Sequence, residues 1–190
     1  MRESLFPPPS IVKDDRSCFV LMPFRSPFNE IYSDHILPTL TSLRIAVKRA
    51  DDIFSTRQVI FDIWDGITSA AFLVAELSGR NPNVFYEMGI AHTLNKPVVL
   101  LAQSTKDLPF DIQGLRAIIY EYTPRGCKKL EEQLIATVRT LLLDLKLFTI
   151  GISGSNRKKE NPFRPLAIEI GAIFSHLDCC RIVSGGGKGW

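Results

Sequence analysis

Residues 61–103 read FDIWDGITSAAFLVAELSGRNPNVFYEMGIAHTLNKPVVLLAQ, and their pattern decides the fold class. Ala71-Phe72-Leu73-Val74-Ala75 is a continuous apolar run of strand length, and Pro97–Ala102 (PVVLLA) is a second. A strand without a polar face is buried on both sides, as in a parallel sheet covered by helices. Between the two runs, residues 76–82 form a polar turn. Asn83–Leu94 then reads as a helix with Asn83 as its predicted N-cap. Upstream, Ser55 or Thr56 is placed to cap a helix reaching about Ser69, with Val59, Ile60, Ile63 and Ile67 on one face. The stretch therefore alternates helix, strand, helix, strand.

The alternation continues outward. Cys18–Met22 is another apolar run, ended by Pro23. Asn29–Leu43 has helical spacing at Ile31, Ile36, Leu40 and Leu43, with Asn29 as candidate cap and Pro38 imposing a kink. Ile45–Val47 reads as a second strand. On the other side, Gln103–Asp107 reads as a flexible rim and Ala117–Tyr122 as a fifth strand. Cys127–Lys146 is a long amphipathic helix with Leu130, Leu134, Val138, Leu141 and Leu142 on one face. This is the signature of an α/β protein with a parallel five-stranded sheet and helices on both faces. Such sheets bind ligands beyond the carboxyl ends of their strands. Candidate chemistry is therefore sought after Met22, Val47, Ala75 and Ala102.

Length and composition bound the rest. The 190 residues correspond either to one large domain or to one ordinary domain plus a piece. With 45% apolar and 23% charged residues, a disordered, collagen-like or coiled-coil chain is excluded. A net charge of +3 gives no argument for a nucleic-acid or polybasic membrane surface. That excess is uneven: residues 1–145 are net −1 and residues 146–190 net +4. Cys18, Cys127, Cys179 and Cys180 form no CxxC pair and read as free thiols in a reducing compartment. His35, His92 and His176 are scattered, so no metal is expected, and no cofactor is either. The N-terminus MRESLFPPPS lacks an apolar signal core, and residues 1–16 read as a flexible leader. Leu134–Ile152 is interrupted by Arg139, Asp144 and Lys146, which argues against a membrane span. A cytoplasmic location is expected.

A second pattern begins at Phe148. Thr149–Ile152 reads as a strand, Ser153-Gly154-Ser155 as a turn, Pro165–Leu177 as a helix and Arg181–Val183 as a strand before the glycine-rich end. One β-α-β unit of this size buries too little core to stand alone.

Within the central stretch, Glu87 lies four residues after the predicted cap Asn83 and projects near the crevice. Backbone N–H groups at a helix start favour an anionic or acceptor-rich ligand. A carboxylate there serves as nucleophile, or stabilises an oxocarbenium ion, at a sugar anomeric carbon. Its plain alternative is a surface glutamate favoured by the helix dipole. Trp64 and Tyr86 either stack on a base or belong to the core. His92 is an acid–base group or a hydrogen-bonded core histidine. Asp51 and Asp52 follow the second strand, where α/β proteins place a ribose-binding acid, or they form a solvated turn. Arg80 either pairs with a substrate phosphate or is simply exposed.

The run Ala75–His92, with Asp62-Ile63-Trp64, resembles the nucleoside 2-deoxyribosyltransferase-like group, within the wider assembly that includes TIR-like domains. The family nucleophile sits in a Glu-Leu-Gly after the third strand; Glu87-Met88-Gly89, with Ala91 following, is its match. The family aspartate that precedes a Gly-Ile is matched by Asp62 before Gly66-Ile67, with the spacing longer by one. Cys18–Phe24, Phe28–Tyr32 and Arg49-Ala50-Asp51 fit a bacterial branch of this layout, so the resemblance spans about residues 17–145. It implies a flavodoxin-like fold with Glu87 and Asp62 as catalytic residues. Substrate contacts are then expected at Phe24, Asp51, Trp64, Glu76, Gly79, Arg80, Asn81, Asn83 and Tyr86.

There are two departures. The second acidic residue that the transferases carry before the nucleophile is replaced by Asn81 and Asn83. Met22-Pro23-Phe24 stands where the transferases are glycine-rich. The common denominator is cleavage of an N-glycosidic bond with water as acceptor, in a nucleoside, nucleotide or NAD-like dinucleotide, by a homo-oligomer. The alternative is a nucleotide-sensing or self-associating module without turnover.

The tail, from Ile150-Gly151-Ile152-Ser153-Gly154-Ser155 to Val183-Ser184-Gly185-Gly186-Gly187-Lys188-Gly189, resembles the opening of a SLOG domain. That is the Rossmann-like group of DprA and of the lysine-decarboxylase-like cytokinin-activating enzymes. The resemblance implies nucleotide contacts at Gly154, Ser155, Gly185, Gly186 and Gly187, where glycine lets backbone amides approach closely. The implied organisation is a leader (1–16), a deoxyribosyltransferase-like domain (17–146) and a SLOG-like fragment (147–190). That pairing resembles bacterial antiphage sensor–effector proteins.

Overall fold

The computed structural model describes residues 5–9, 15–50 and 58–153, with side chains through residue 145. The chain divides into two units, Met1–Val138 and Arg139–Trp190. The first unit holds β1 (Ser17–Leu21), α1 (Phe28–Ile31), a π-helical turn (Tyr32–Ile36), α2 (Leu37–Ser42) and β2 (Ala46–Arg49). It continues with α3 (Val59–Ser69), β3 (Phe72–Glu76), α4 (Pro82–Thr93), β4 (Val98–Ala102), two 3-10 turns and β5 (Ala117–Ile119). Helix α5 (Pro124–Ser153) starts in the first unit and crosses into the second.

All five strands are parallel, in the order β2-β1-β3-β4-β5. This is the doubly wound, flavodoxin-like order. β3 lies at the centre and is buried along its whole length, which is why its sequence shows no polar face. Alternate residues serve opposite faces. Phe19, Leu21, Leu73, Ala75, Leu100 and Ala102 pack with Ile63 and Ile67 of α3 and with Val84, Met88 and Ala91 of α4. Cys18, Val20, Phe72, Val74 and Leu101 are buried on the other face, on the side of α1, α2 and α5. There His35 Nδ1 and Glu131 Oε1 meet at 2.7 Å.

Two close approaches seat α3. A Cβ on Gly66 would lie 2.5 Å from the Phe19 ring, so only glycine lets the helix settle on β1. At its other end, Lys96 Nζ donates to the carbonyls of Thr68 (2.6 Å) and Ala70 (2.8 Å), which the helix cannot satisfy itself.

The structure differs from the sequence reading at several points. Pro38 lies within a continuous helical run, and the π-helical turn Tyr32–Ile36 just before it is the irregularity that accommodates its missing N–H. Asn29 is not a cap; its Oδ1 accepts from Arg49 Nη1 instead. Helix α3 starts after Gln58 without a side-chain cap, and Ser55 and Thr56 lie outside the described residues. Residues 103–107 are not a loose rim. Ser104 and Asp107 form a reciprocal capping box around a 3-10 turn. The strand expected at Thr149–Ile152 is helix, the continuation of α5. No breaker occurs between Leu134 and Phe148, and once nucleated a helix gains a hydrogen bond with each added residue. Among the described residues of the leader, Phe6 stacks on Trp64, and the Arg16 guanidinium donates to the Leu43 and Arg44 carbonyls.

Candidate active site

In a parallel sheet every crossover helix starts at the carboxyl edge of the strands, so α3 and α4 both begin there. The strand order reverses between β1 and β3, which opens the crevice at that edge. Three segments meet it: Met22–Arg25 after β1, Arg49 at the end of β2, and Glu76–Asn81 after β3.

Helix α4 begins because the Asn81 side chain accepts from the Asn83 amide at 2.9 Å, with Pro82 at the first helical position. The cap is thus Asn81 rather than Asn83. Glu87 consequently sits on the second turn, not the first. It flanks the buried stripe of Val84, Met88 and Ala91 and is half-buried itself. No donor reaches its carboxylate among the described residues, and burial alone pushes its pKa up to about 7. Asp62 is buried on α3, one turn before Gly66, on the side that faces the Phe19 ring of β1. The two carboxyls that the family motif singles out therefore both stand on the crevice halves of helices that pack against each other.

The turn from β3 to α4 is tied from within. Gly79 and Arg80 take left-handed conformations (φ +71° and +53°), and the Arg80 amide donates back to the Leu77 carbonyl at 3.1 Å. The Gly79 amide donates to Asp107 Oδ1 at 3.2 Å, and the Arg80 guanidinium donates to the Lys106 carbonyl. The Arg25 guanidinium lies over Gly79, 3.4 Å from where a Cβ would stand, and also over the Phe28 ring at 5.7 Å. Glu76 is 0% exposed and accepts from the Ser78 amide (3.0 Å) and the Tyr120 hydroxyl (2.8 Å). Burial raises its pKa, and the Ser78 and Tyr120 hydrogen bonds oppose that rise.

These contacts revise the expected substrate set. Glu76 is closed off from any ligand. The Arg80 and Asn81 side chains are engaged by the protein itself, whereas the Asn83 side chain is left exposed on α4. Phe24 is 53% exposed at the β1 exit. Its ring lies 5.2 Å from the Arg49 guanidinium, which in turn stands 4.3 Å over Tyr32. Arg49, buried between two rings, was not singled out from the sequence; its place at the carboxyl end of β2 was the available signal.

The other two aromatics differ in exposure. Trp64 is 8% exposed, with Phe6 stacked on it at 4.6 Å and 8°. Its Nε1 has no partner among the described residues. Tyr86 is 52% exposed on the face of α4 away from the sheet. His92 is exposed in the last turn of α4, where it suits the helix dipole but lies at the end far from the crevice. Asp51 and Asp52 lie outside the described residues, as do Gly154, Ser155, Gly185, Gly186 and Gly187. Among the described residues no group of His, Cys, Asp and Glu is arranged to hold a metal, and no helix is long and apolar enough to cross a membrane.

No protein-family model and no curated protein matches the chain. Among solved structures it is similar to the CMP N-glycosidase BcmB of Clostridium botulinum, at TM-score 0.50 and 19% identity over 62% of this chain and 97% of that one. It also matches a 2-desoxiribosyltransferase from Leishmania mexicana at TM-score 0.41 and 18% identity, over 47% of this chain and 65% of that one. The first likeness shows a common flavodoxin-like α/β fold.

Proposed function

We propose that the domain spanning residues 17–146 is an N-glycosidase that cleaves the base–sugar bond of a nucleoside, nucleotide or NAD-like dinucleotide. The observation that carries this reading is Glu87. It is a half-buried carboxylate with no donor among the described residues and a pKa raised to about 7, on the crevice half of the helix that follows the central strand. A glutamate without protein partners is free to act on a substrate carbon. In the first step a Glu87 oxygen bonds to the anomeric carbon, and the base departs with the electrons of the broken C–N bond while Asp62 supplies its proton. In the second step water attacks the glycosyl ester, gives its proton to Asp62 and frees Glu87. Among the described residues, Arg25 and Asn83 offer polar side chains to meet ribose or phosphate at the lips of the crevice. The fold likeness to a CMP N-glycosidase supports the bond type.

The sequence resemblance of the glycine-rich tail to a SLOG domain, without the first strand that residues 149–152 were expected to supply, is the support for a further proposal: the glycosidase domain is a bacterial antiphage effector that destroys a nucleotide. The test is incubation of purified protein with nucleosides, nucleoside monophosphates and NAD, with free base followed by chromatography. Release of free base and free sugar from one class supports hydrolysis and names the substrate. Binding without release would replace the enzyme with a sensing module.

A further inference from the structure

The buried carboxyl of Glu76 lies beneath the crevice without reaching it. Its two oxygens accept from different elements: Oε1 from the Ser78 amide in the turn after β3, and Oε2 from the Tyr120 hydroxyl just past β5. Tyr120 is held in turn, since Gln103 Nε2 donates to its hydroxyl at 3.4 Å. The Gln103 amide donates to Ser78 Oγ at 2.7 Å, which closes the loop. Four residues thus cross-link the exits of β3, β4 and β5. From Ser78 the chain passes through two left-handed residues to Asn81, which caps the helix carrying Glu87.

We infer that Glu76 is a positioning residue: it fixes the β3–α4 turn, and through that turn the start of α4 and the place of Glu87, without touching the substrate. The inference rests on the glycosidase reading for its kinetic consequence. Its geometry is independent of that reading. A network that joins three strand ends could equally serve stability alone, so the test must separate the two roles.

Glu76→Gln keeps the Ser78 contact through its amide oxygen and reverses the Tyr120 contact: the amide nitrogen donates to the hydroxyl, whose proton goes to the Gln103 side-chain oxygen once that amide turns over. Base release is expected to stay within about twofold of the wild type, in contrast to Glu87→Gln. Tyr120→Phe removes one contact and keeps the ring; Glu76→Ala removes both. Assayed well below their melting temperatures, both are expected to lose at least about tenfold in kcat with KM nearly unchanged, the mark of a displaced catalytic group. Tyr120→Phe carries the test if Glu76→Ala does not fold. An inactive Glu76→Gln would overturn the inference by making the carboxylate itself catalytic. Wild-type kcat in folded Tyr120→Phe would overturn it by leaving only stability. Hydrogen exchange separates this from the parent reading. If the wild type releases no base, faster exchange at the Ser78, Gly79 and Arg80 amides in Tyr120→Phe still supports the positioning role, and unchanged exchange there overturns it.

Discussion

At the scale of single residues, the two glutamates that bracket the β3–α4 turn differ in their partners. Burial raises the pKa of each. Glu76 spends its acceptors on protein donors, whereas Glu87 meets none among the described residues. A nucleophile must be ionised and a general acid protonated, so base release by the wild type is expected to rise with pH through about 7 as Glu87 ionises and to fall again where Asp62 loses the proton it supplies, a bell-shaped kcat–pH profile. The same shift has a stability consequence. Between the ordinary value of 4.5 and about 7 the folded protein holds a proton on Glu87 that the unfolded chain releases. Its favourable contribution is thus complete below pH 4.5 and is lost as pH rises through 7. Glu87→Gln removes that loss. It is expected to be about 1–2 kcal/mol more stable than the wild type at pH 8, allowing for solvent screening, and equal to it at pH 4. Thermal melts at the two pH values check this. The placement of Asp62 on α3 and Glu87 on α4 was legible in the sequence because periodicity fixes which residue stands on which helix. The engagement of Glu76 by Tyr120 and of Arg80 by Lys106 was not legible, since those partners lie on other elements, 44 and 26 residues away in the chain.

At the scale of elements, the helices sit where they do because of a few close contacts. Gly66→Ala places a methyl within 2.5 Å of the Phe19 ring and must lift α3 or turn the ring. A cost of about 1–3 kcal/mol is expected in urea denaturation, with part recovered when Phe19→Leu is added. Such a contact is invisible to periodicity, which sees only that Ile63 and Ile67 share a face. Strands β1, β3 and β4 were legible because burial on both sides leaves an unbroken apolar run. The cap of α4 was misplaced because Asn81 and Asn83 are both good capping residues, and Pro82 between them decides the matter by taking the first helical position. Residues 103–107 looked mobile from their polarity, yet the polar side chains themselves build the capping box that holds them. Polarity in a short segment marks hydrogen-bonding capacity, and tertiary context decides whether water or protein uses it.

At the scale of the whole molecule, the sheet order opens the β1/β3 crevice at the edge where α3 and α4, the helices that carry Asp62 and Glu87, begin. That arrangement follows from helix–strand alternation alone, which is why the fold class was legible from residues 61–103. Cys18 and Cys127 are buried in this frame, and burial raises the pKa of both thiols. Neither is expected to react with iodoacetamide in the native protein, and both should react after unfolding, as peptide mapping by mass spectrometry will show. The central claim, that this sheet edge is a glycosidase site built on Glu87, is tested most directly by comparing wild type and Glu87→Gln for free base released from nucleosides, nucleoside monophosphates and NAD, with matched thermal melts. The account predicts base release by the wild type and none by a Glu87→Gln protein that melts no lower. Wild-type release by folded Glu87→Gln would contradict it.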